Sequence, residues 1–169
     1  MTLRLSQKLN AQVKAGTLTA HPLSDNTFAD WSAHLFVAGR TRYILLTNTK
    51  SLYSAVMYAK GITTDSRLID HALTTLREFM AADDLAVIYQ QLIAPTCGTV
   101  QFAKALDRSV TGSMNDLAFH ATVWLTEAGL SPFDVGFKLN AIPFSKLEYA
   151  SPKKAFTLMA GDAAAQLSD

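Results

Sequence analysis

Three short strand-like runs, separated by tight polar turns, constrain the fold of this chain more than any other feature of its sequence. They cover residues 31–37, 42–48 and 52–59 and are rich in aromatic and β-branched side chains. Residues 43–46 of the middle run are continuously apolar, as is typical of a strand with neighbours on both sides. The pattern predicts an antiparallel meander with the second run at its centre.

After Gly61 the spacing of apolar residues changes from that of strands to that of helices. Residues 68–80 place their apolar side chains on one helical stripe, with Thr64 or Asp65 as the cap. Asp83 and Asp84 are interpreted as the start of a short helix that ends at Pro95. Residues 99–106 are predicted to form a fourth strand.

Three further helices follow in the last third of the sequence. The first begins near Ser113 and ends before Gly129, and the other two begin at Ser131 and Ser151, each followed by proline. Strands grouped apart from helices indicate the α+β class. We therefore predict one globular domain over residues 1–169, an antiparallel β-meander of about four strands with several helices packed against it. Residues 161–169 are small and polar and are predicted to fray.

Composition narrows the classes of protein to which the chain can belong. Hydrophobic residues make up 49% of the sequence and charged residues only 17%, which suggests that part of the surface is buried in a homo-oligomer, a homodimer being the simplest case. No apolar run approaches the roughly 18 residues of a membrane span, and no secretory signal is visible. Cys97 is the only cysteine and is interpreted as an inert thiol. A cytoplasmic location is the expectation.

The formal net charge of +1 hides an uneven distribution of charge along the chain. Residues 1–60 hold seven Lys or Arg against two acids, for +5, and residues 61–169 hold eight against twelve, for −4. The basic third could face an anionic partner. However, its cations are scattered, and the pI of about 7.9 is low for a nucleic-acid binder. Nucleic-acid binding is kept only as an alternative.

A dense polar cluster between residues 107 and 116 is the best candidate for a binding surface. A strand, then a loop with Arg108 and Ser109, then a helix start could bind an anion on free N–H groups. The competing interpretation is a capping box of Ser113 and Asp116, which satisfies the same N–H groups internally. The anion site and the capping box are both kept as interpretations of this cluster. The candidate ligand-binding residues are Arg108, Ser109 and Asn115, joined by Asn48 and Lys50 of an earlier turn.

An enzyme is the second hypothesis. Asp116 and His120 lie four residues apart on one helix face and could supply acid–base chemistry, with Arg108 binding an anionic substrate. Neither the four separated histidines nor the acids show the spacing of a metal site, so no metal and no cofactor is predicted. His34, among apolar strand residues, is interpreted as a core histidine.

Three segments of the chain resemble an uncharacterised bacterial protein family, a domain of unknown function. They are FADWSAHLFVAGRTRYILLTNTKSLYSAVM, VQFAKALDRSVTGSMNDLAFHATVWL and LSPFDVGFKLNAIPFS, and the start TLRLSQKL adds to them. The resemblance extends from Thr2 to about Phe156 and implies a compact bacterial domain without an assigned activity. The leading hypothesis from the sequence is a small cytoplasmic module that binds a small anionic ligand or a protein.

Overall fold

A mixed sheet of five strands forms the centre of the computed structural model, which describes the backbone of residues 1–166 and the side chains of residues 1–165. The strands are β1 (Thr2–Leu5), β2 (Asp30–Ala38), β3 (Thr41–Asn48), β4 (Ser54–Tyr58) and β5 (Gln101–Ala103). They lie in the order β4-β3-β2-β1-β5. Consequently, the first strand of the chain lies inside the sheet, between β2 and β5.

The predicted meander is right only for part of this sheet. β2, β3 and β4 are antiparallel neighbours, with β3 between the other two, as the sequence indicated. In contrast, β1 pairs in parallel with both β2 and β5. The sheet is therefore mixed and has five strands, not four. β1 was missed because four residues are too few to show a period, and a parallel partner distant in sequence leaves no hairpin signal.

Helices cover both faces of the sheet. They are α1 (Gln7–Val13), α2 (Asp65–Ala82), α3 (Ala86–Ile88), α4 (Arg108–Thr126), α5 (Pro132–Leu139) and α6 (Pro152–Gln166). One core contains Leu9 and Val13 of α1, the apolar stripe of α2 and Phe156 of α6. The other contains the buried residues of α4 together with Phe36 and Tyr43 from the sheet. We call these two sides the α1 face and the α4 face.

Capping side chains fix where several of these helices begin. The Thr64 hydroxyl accepts from Arg67 N at 3.3 Å at the start of α2, and Ser131 accepts from Asp134 N at 3.2 Å at the start of α5. Both caps agree with the sequence. In α4 the cap is Asp107, whose Oδ1 accepts from Val110 N at 2.8 Å. The N–H groups at the start of α4 are therefore partly satisfied by the chain itself.

Three sequence interpretations need correction. α4 begins at Arg108, so Ser113 and Asp116 lie inside the helix and form no capping box; Ser113 Oγ donates to Ser109 O at 3.1 Å instead. Asp83 ends α2 and does not open a helix. The predicted strand over 99–106 shrinks to Gln101–Ala103. α6 runs through Gln166, and residues 167–169 of the segment predicted to fray lie outside the described part of the chain.

Candidate functional site

A cleft with a volume of about 910 Å³ opens at the carboxyl ends of β1 and β5. β1 continues into α1 on one face of the sheet, and β5 continues into α4 on the other face. Chain segments that leave neighbouring parallel strands toward opposite faces separate and leave a crevice between them, the usual ligand position in open α/β sheets. Topology thus creates this cleft, with α1 as one wall and α4 as the other.

The floor of the cleft contains a buried ion pair between β1 and β2. Arg4 is 1% exposed and Asp30 0%. The Arg4 guanidinium donates to both carboxylate oxygens of Asp30, at 2.8 and 2.7 Å. Its remaining N–H groups donate to the backbone carbonyls of His21, Pro22 and Lys104, at 2.9, 2.8 and 3.3 Å. All donors of Arg4 are therefore used within the protein, and the pair has a structural role: it ties the loop before β2 to the sheet.

The walls carry positive charge without any compensating acid. Lys8 projects from α1, Lys104 follows β5 and His34 lies on β2. None of the nineteen residues that line the cleft is Asp or Glu, although the chain as a whole has 14 acids for 15 Lys and Arg. Neither lysine forms a salt bridge with a described residue. The formal charge of the side chains on the cleft walls is therefore positive, which favours an anion.

Several uncharged polar groups also line the cleft. They belong to Ser6, Gln7, Asn10, Thr17, Ser32, Thr111 and Asn115. Asn10 Nδ2 donates to Gly16 O at 2.9 Å, while its buried Oδ1 accepts no hydrogen bond from any described residue. Ser32 is less available, because its hydroxyl lies 2.9 Å from that of Thr49. These side chains provide both donors and acceptors for a polar ligand.

His34 is a half-buried residue of the cleft wall, which corrects its interpretation as a core histidine. Burial lowers the pKa of its imidazole, and the positive charge of Lys8 lowers that pKa further. An anion bound between Lys8 and His34 would oppose the second effect, since it would favour the charged imidazole. Protonation of His34 and anion binding are thus expected to be coupled.

The residues predicted from the polar cluster do not all reach this cleft. Asn115 lines it, but Arg108 and Ser109 lie exposed on the first turn of α4, outside its lining. Asn48 is fully buried. Its amide donates to Thr27 O and Asp30 O, and its carbonyl accepts from Ser51. Because these bonds use its polar atoms, the structure gives Asn48 the role of shaping the turn after β3.

Lys50 is exposed in that same turn and lies outside the cleft. Burial lowers the pKa of Lys146, Asp107 raises it and Lys50 lowers it. The charges of Lys50 and of Asp107, the cap of α4, therefore both act on Lys146. Of the five residues predicted to bind a ligand, only Asn115 lines the cleft.

The grouping proposed for an enzyme is not assembled. His120 stacks on Trp124, with ring centroids 5.7 Å apart, and Asp116 is exposed on the same helix. Arg108 precedes His120 by twelve residues, roughly 18 Å along an α-helix. The three side chains therefore do not meet in one cleft. Within residues 1–165, no three His, Cys, Asp or Glu side chains are grouped so that they could hold a metal ion.

Sequence reasoning missed Lys8, His34, Asn10 and Lys104. The available signal was the start TLRLSQKLN, in which four strand residues are followed at once by a helix cap, Ser6. With that segment recognised as a strand and helix, Lys8 and Asn10 would have been placed on the first turns after the strand. Lys104 follows β5 in the same way.

A second polar region lies beside β4. The Tyr53 hydroxyl donates to Asp83 Oδ2 at 2.7 Å, and Lys153 Nζ donates to Asp83 Oδ1 at 2.7 Å and to Asp83 O at 3.1 Å. Burial and the neighbouring Asp83 carboxylate raise the pKa of Tyr53 far above its usual value. This network satisfies its own charges and links α6 to the end of α2.

In the described part of the chain, no helix has both the length and the apolar character that crossing a membrane requires.

Comparison with known proteins assigns the chain to a family for which no activity is given. No curated protein matches the chain, and no solved structure matches it either. Residues 2–155 match a family described as a domain of unknown function, DUF6933. Since this match covers nearly all of the sequence, the chain belongs to the DUF6933 family.

Proposed function

We propose that this protein is a cytoplasmic binding module that holds a small anionic ligand in the cleft between α1 and α4. The observation that carries the proposal is the charge of the lining: Lys8 and Lys104 on opposite walls, His34 between them, and no acid. Cations on the walls of a concave site concentrate positive potential there, which favours the binding of an anion.

Phosphate or carboxylate is the ligand chemistry that best fits these groups. Lysine is a point-charge donor suited to oxyanions, and Asn115 and Thr111 of α4 add polar contacts on one wall. A volume of about 910 Å³ accommodates a ligand larger than inorganic phosphate. The proposed class is therefore a phosphorylated or polycarboxylate metabolite with hydroxyl groups, whose donors could reach acceptors such as those of Ser6 and Thr17.

Two alternatives from the sequence have weaker support. An enzyme centred on Arg108, Asp116 and His120 requires side chains that lie along the length of α4. Nucleic-acid binding requires the basic residues of the first 60 positions to share a face, yet Arg4 is buried and paired with Asp30. A cleft ligand needs neither arrangement.

Self-association remains part of the proposal, as a homodimer. Large exposed apolar side chains are present, but they are distributed over several elements: Val37, Tyr58, Val87, Phe119, Tyr149 and Leu158. Sedimentation equilibrium over a hundredfold range of protein concentration would test this expectation. A strictly monomeric protein at every concentration would remove the homodimer and leave the cleft proposal intact.

The experiment for the cleft is a thermal-shift and calorimetry series at constant ionic strength. Inorganic phosphate, hexose phosphates, nucleoside monophosphates and citrate would be titrated into the native protein and into Lys8→Ala, Lys104→Ala and Asn115→Ala. We expect one class to raise Tm, and each lysine variant to bind it about tenfold more weakly through loss of a charge-assisted contact.

The matched control is Lys60→Ala, which removes an exposed lysine that does not line the cleft. It should bind like the native protein if the site is local. Arg108→Ala tests the residue predicted from the sequence, and we expect it to behave like this control. Equal weakening in Lys60→Ala and Lys104→Ala, or no Tm shift with any compound, would contradict the cleft as a ligand site.

A further inference from the structure

Strand β2 extends beyond the strand that pairs with it. The last residue of β1, Leu5, lies opposite Ala33, whereas β2 continues to Ala38. On its other side β2 is paired with β3 over its whole remaining length, down to the Ala38–Thr41 pair. From His34 to Ala38, therefore, β2 has a strand neighbour on one side only.

The hydrogen-bonding direction of the backbone shows which groups this open edge presents. Thr49 N donates to Asp30 O, so the backbone N–H and C=O groups of the even-numbered residues of β2 point toward β3. The backbone groups of the odd-numbered residues point in the opposite direction, toward the side of β1. Ser6 N donates to Ala33 O at 3.0 Å, and Leu35 N approaches Ser6 Oγ at 3.5 Å. Beyond these, Leu35 C=O and both backbone groups of Val37 face outward without a hydrogen-bond partner among the described residues.

A recess of about 710 Å³ lies over this edge and adjoins the cleft, with which it shares Lys8, Ala11 and His34. Ala11 and Gln12 of α1 line one side, and residues 34–37 of β2 with Arg42 of β3 line the other. The recess, like the cleft, contains no Asp or Glu. Arg42 donates to Gln12 Oε1 at 3.3 Å, which holds its guanidinium beside the edge.

We propose that the His34–Ala38 edge of β2 binds an extended peptide segment, as an added strand, in which acidic and apolar residues alternate. The three outward backbone groups can pair with a strand, and strand addition to an exposed edge is a common mode of peptide recognition. Lys8 and Arg42 both lie on the α1 face, so they select acidic side chains at every second position of the peptide.

Charge also distinguishes this occupant from a second copy of the chain. Two copies joined edge to edge would bring Lys8 and Arg42 of one close to the same cations of the other. Like charges facing each other across a strand pair are destabilising. An acidic peptide instead neutralises them, and the alternating apolar side chains would lie on the α4 face, near Phe36. The exposed side chain of Val37, 55% accessible, would be covered as well.

The test is titration of isotope-labelled protein with a capped pentapeptide in which valine and glutamate alternate, followed by amide NMR. Addition of a strand should shift the Val37 N–H resonance and slow its hydrogen exchange. The same peptide with lysine for glutamate should leave this resonance unchanged. Val37→Pro, which removes the N–H, should weaken binding about tenfold, the loss of about one hydrogen bond, whereas Val37→Thr should bind like the native protein. Arg42→Ala should weaken binding and reduce its salt dependence.

Each of several results would overturn strand addition. An unshifted Val37 amide, equal binding of the lysine peptide, or unchanged affinity in a folded Val37→Pro protein would do so. So would shifts confined to Lys104 and Asn115, since these would place the peptide carboxylates in the cleft. A dimer that Val37→Pro dissociates would assign the edge to a second copy. Phosphate binding is measured separately. The absence of a phosphate-induced rise in Tm would contradict the cleft proposal and would leave strand addition to β2 untouched.

Discussion

Two polar regions of this molecule contain similar residue types but differ in how completely their charges are paired. Beside β4, Asp83 accepts from both Tyr53 and Lys153, and the floor of the cleft is likewise closed by the Arg4–Asp30 pair. Directly above that floor, Lys8 and Lys104 face a cavity without an acid. The difference teaches that paired charges hold elements of this fold together, whereas the unpaired lysines line the cleft that we propose as a ligand site.

Removal of one partner from the saturated pair is the strongest way to test this comparison. Arg4→Met leaves the Asp30 carboxylate buried, with Ser24 N as its remaining partner at 3.0 Å. We expect a loss of about 3–5 kcal/mol in the free energy of unfolding, the usual cost of an uncompensated buried charge. Urea denaturation measures it. The double variant with Arg4→Met and Asp30→Leu should recover part of the lost stability. If the Arg4→Met protein is instead as stable as the native protein but no longer binds anions, Arg4 is a ligand contact.

Tyr53→Phe tests the second saturated region with a smaller expected effect. The ring can keep its stacking on Phe156, with centroids 4.7 Å apart, while the hydrogen bond to Asp83 is lost. Lys153 still pairs with the carboxylate. The expected destabilisation is about 1 kcal/mol, measured by denaturant unfolding beside the exposed control Tyr149→Phe. A loss as small as that of the control would mean that the network contributes no net stability.

The pH dependence of stability tests the same comparison at His34, in the wall of the cleft. Because burial and Lys8 lower the pKa of His34 from 6.5, the unfolded chain binds more protons than the folded one between the lowered pKa and 6.5. The contribution of His34 is therefore complete above pH 6.5 and is lost as the pH falls through the lowered pKa. We expect Tm to fall between pH 7 and 5, and to fall less in His34→Asn.

Sulfate provides the matched measurement, because its charge does not change over this pH range. If the cleft binds it, sulfate should oppose the acid-induced fall in Tm of the native protein and should bind more tightly at pH 5 than at pH 7. Chloride at equal ionic strength is the control. Affinity that is independent of pH would separate His34 from the anion.

The smallest expected change in stability belongs to the cleft lysines. Lys8→Ala and Lys104→Ala remove side chains that form no salt bridge with described residues, so the free energy of unfolding without ligand should stay within about 0.5 kcal/mol of the native value. Thermal unfolding in a buffer free of multivalent anions measures it. A loss comparable to that of Arg4→Met would show that these lysines are structural and would remove the contrast between the two regions.

Sequence reasoning was most successful where local pattern decides structure. The stripe of α2 and the Ser131 cap of α5 are set by residues three or four positions apart, and both were predicted. β1 depends on partners that lie about 28 and 99 positions further along the chain, as its pairs Thr2–Asp30 and Thr2–Gln101 show. No local pattern records such a pairing, so the parallel part of the sheet was missed.

The same limitation applies to the residues of the candidate cleft. The polar segment from Arg108 to Asn115 follows β5 and lies in α4, and of its residues predicted to bind a ligand Asn115 lines the cleft. Its partners on the other wall, Lys8 and Asn10, come from α1, which was not predicted as a helix after a strand. Asn48 was predicted to bind a ligand because it is a polar residue next to a turn. In the structure it is buried, and its side-chain amide donates to a backbone carbonyl.

The parallel pairing of β1 with β5 also has a consequence for the order of folding. The two walls of the cleft are joined only when residues 2–4 meet residues 101–103, a closure of high sequence separation that proteins tend to complete late and slowly. The β2–β3–β4 meander needs no such closure and can form early. Binding competence should therefore emerge in the slowest kinetic phase of refolding, so that a ligand added during refolding would report the last step of assembly, not the first.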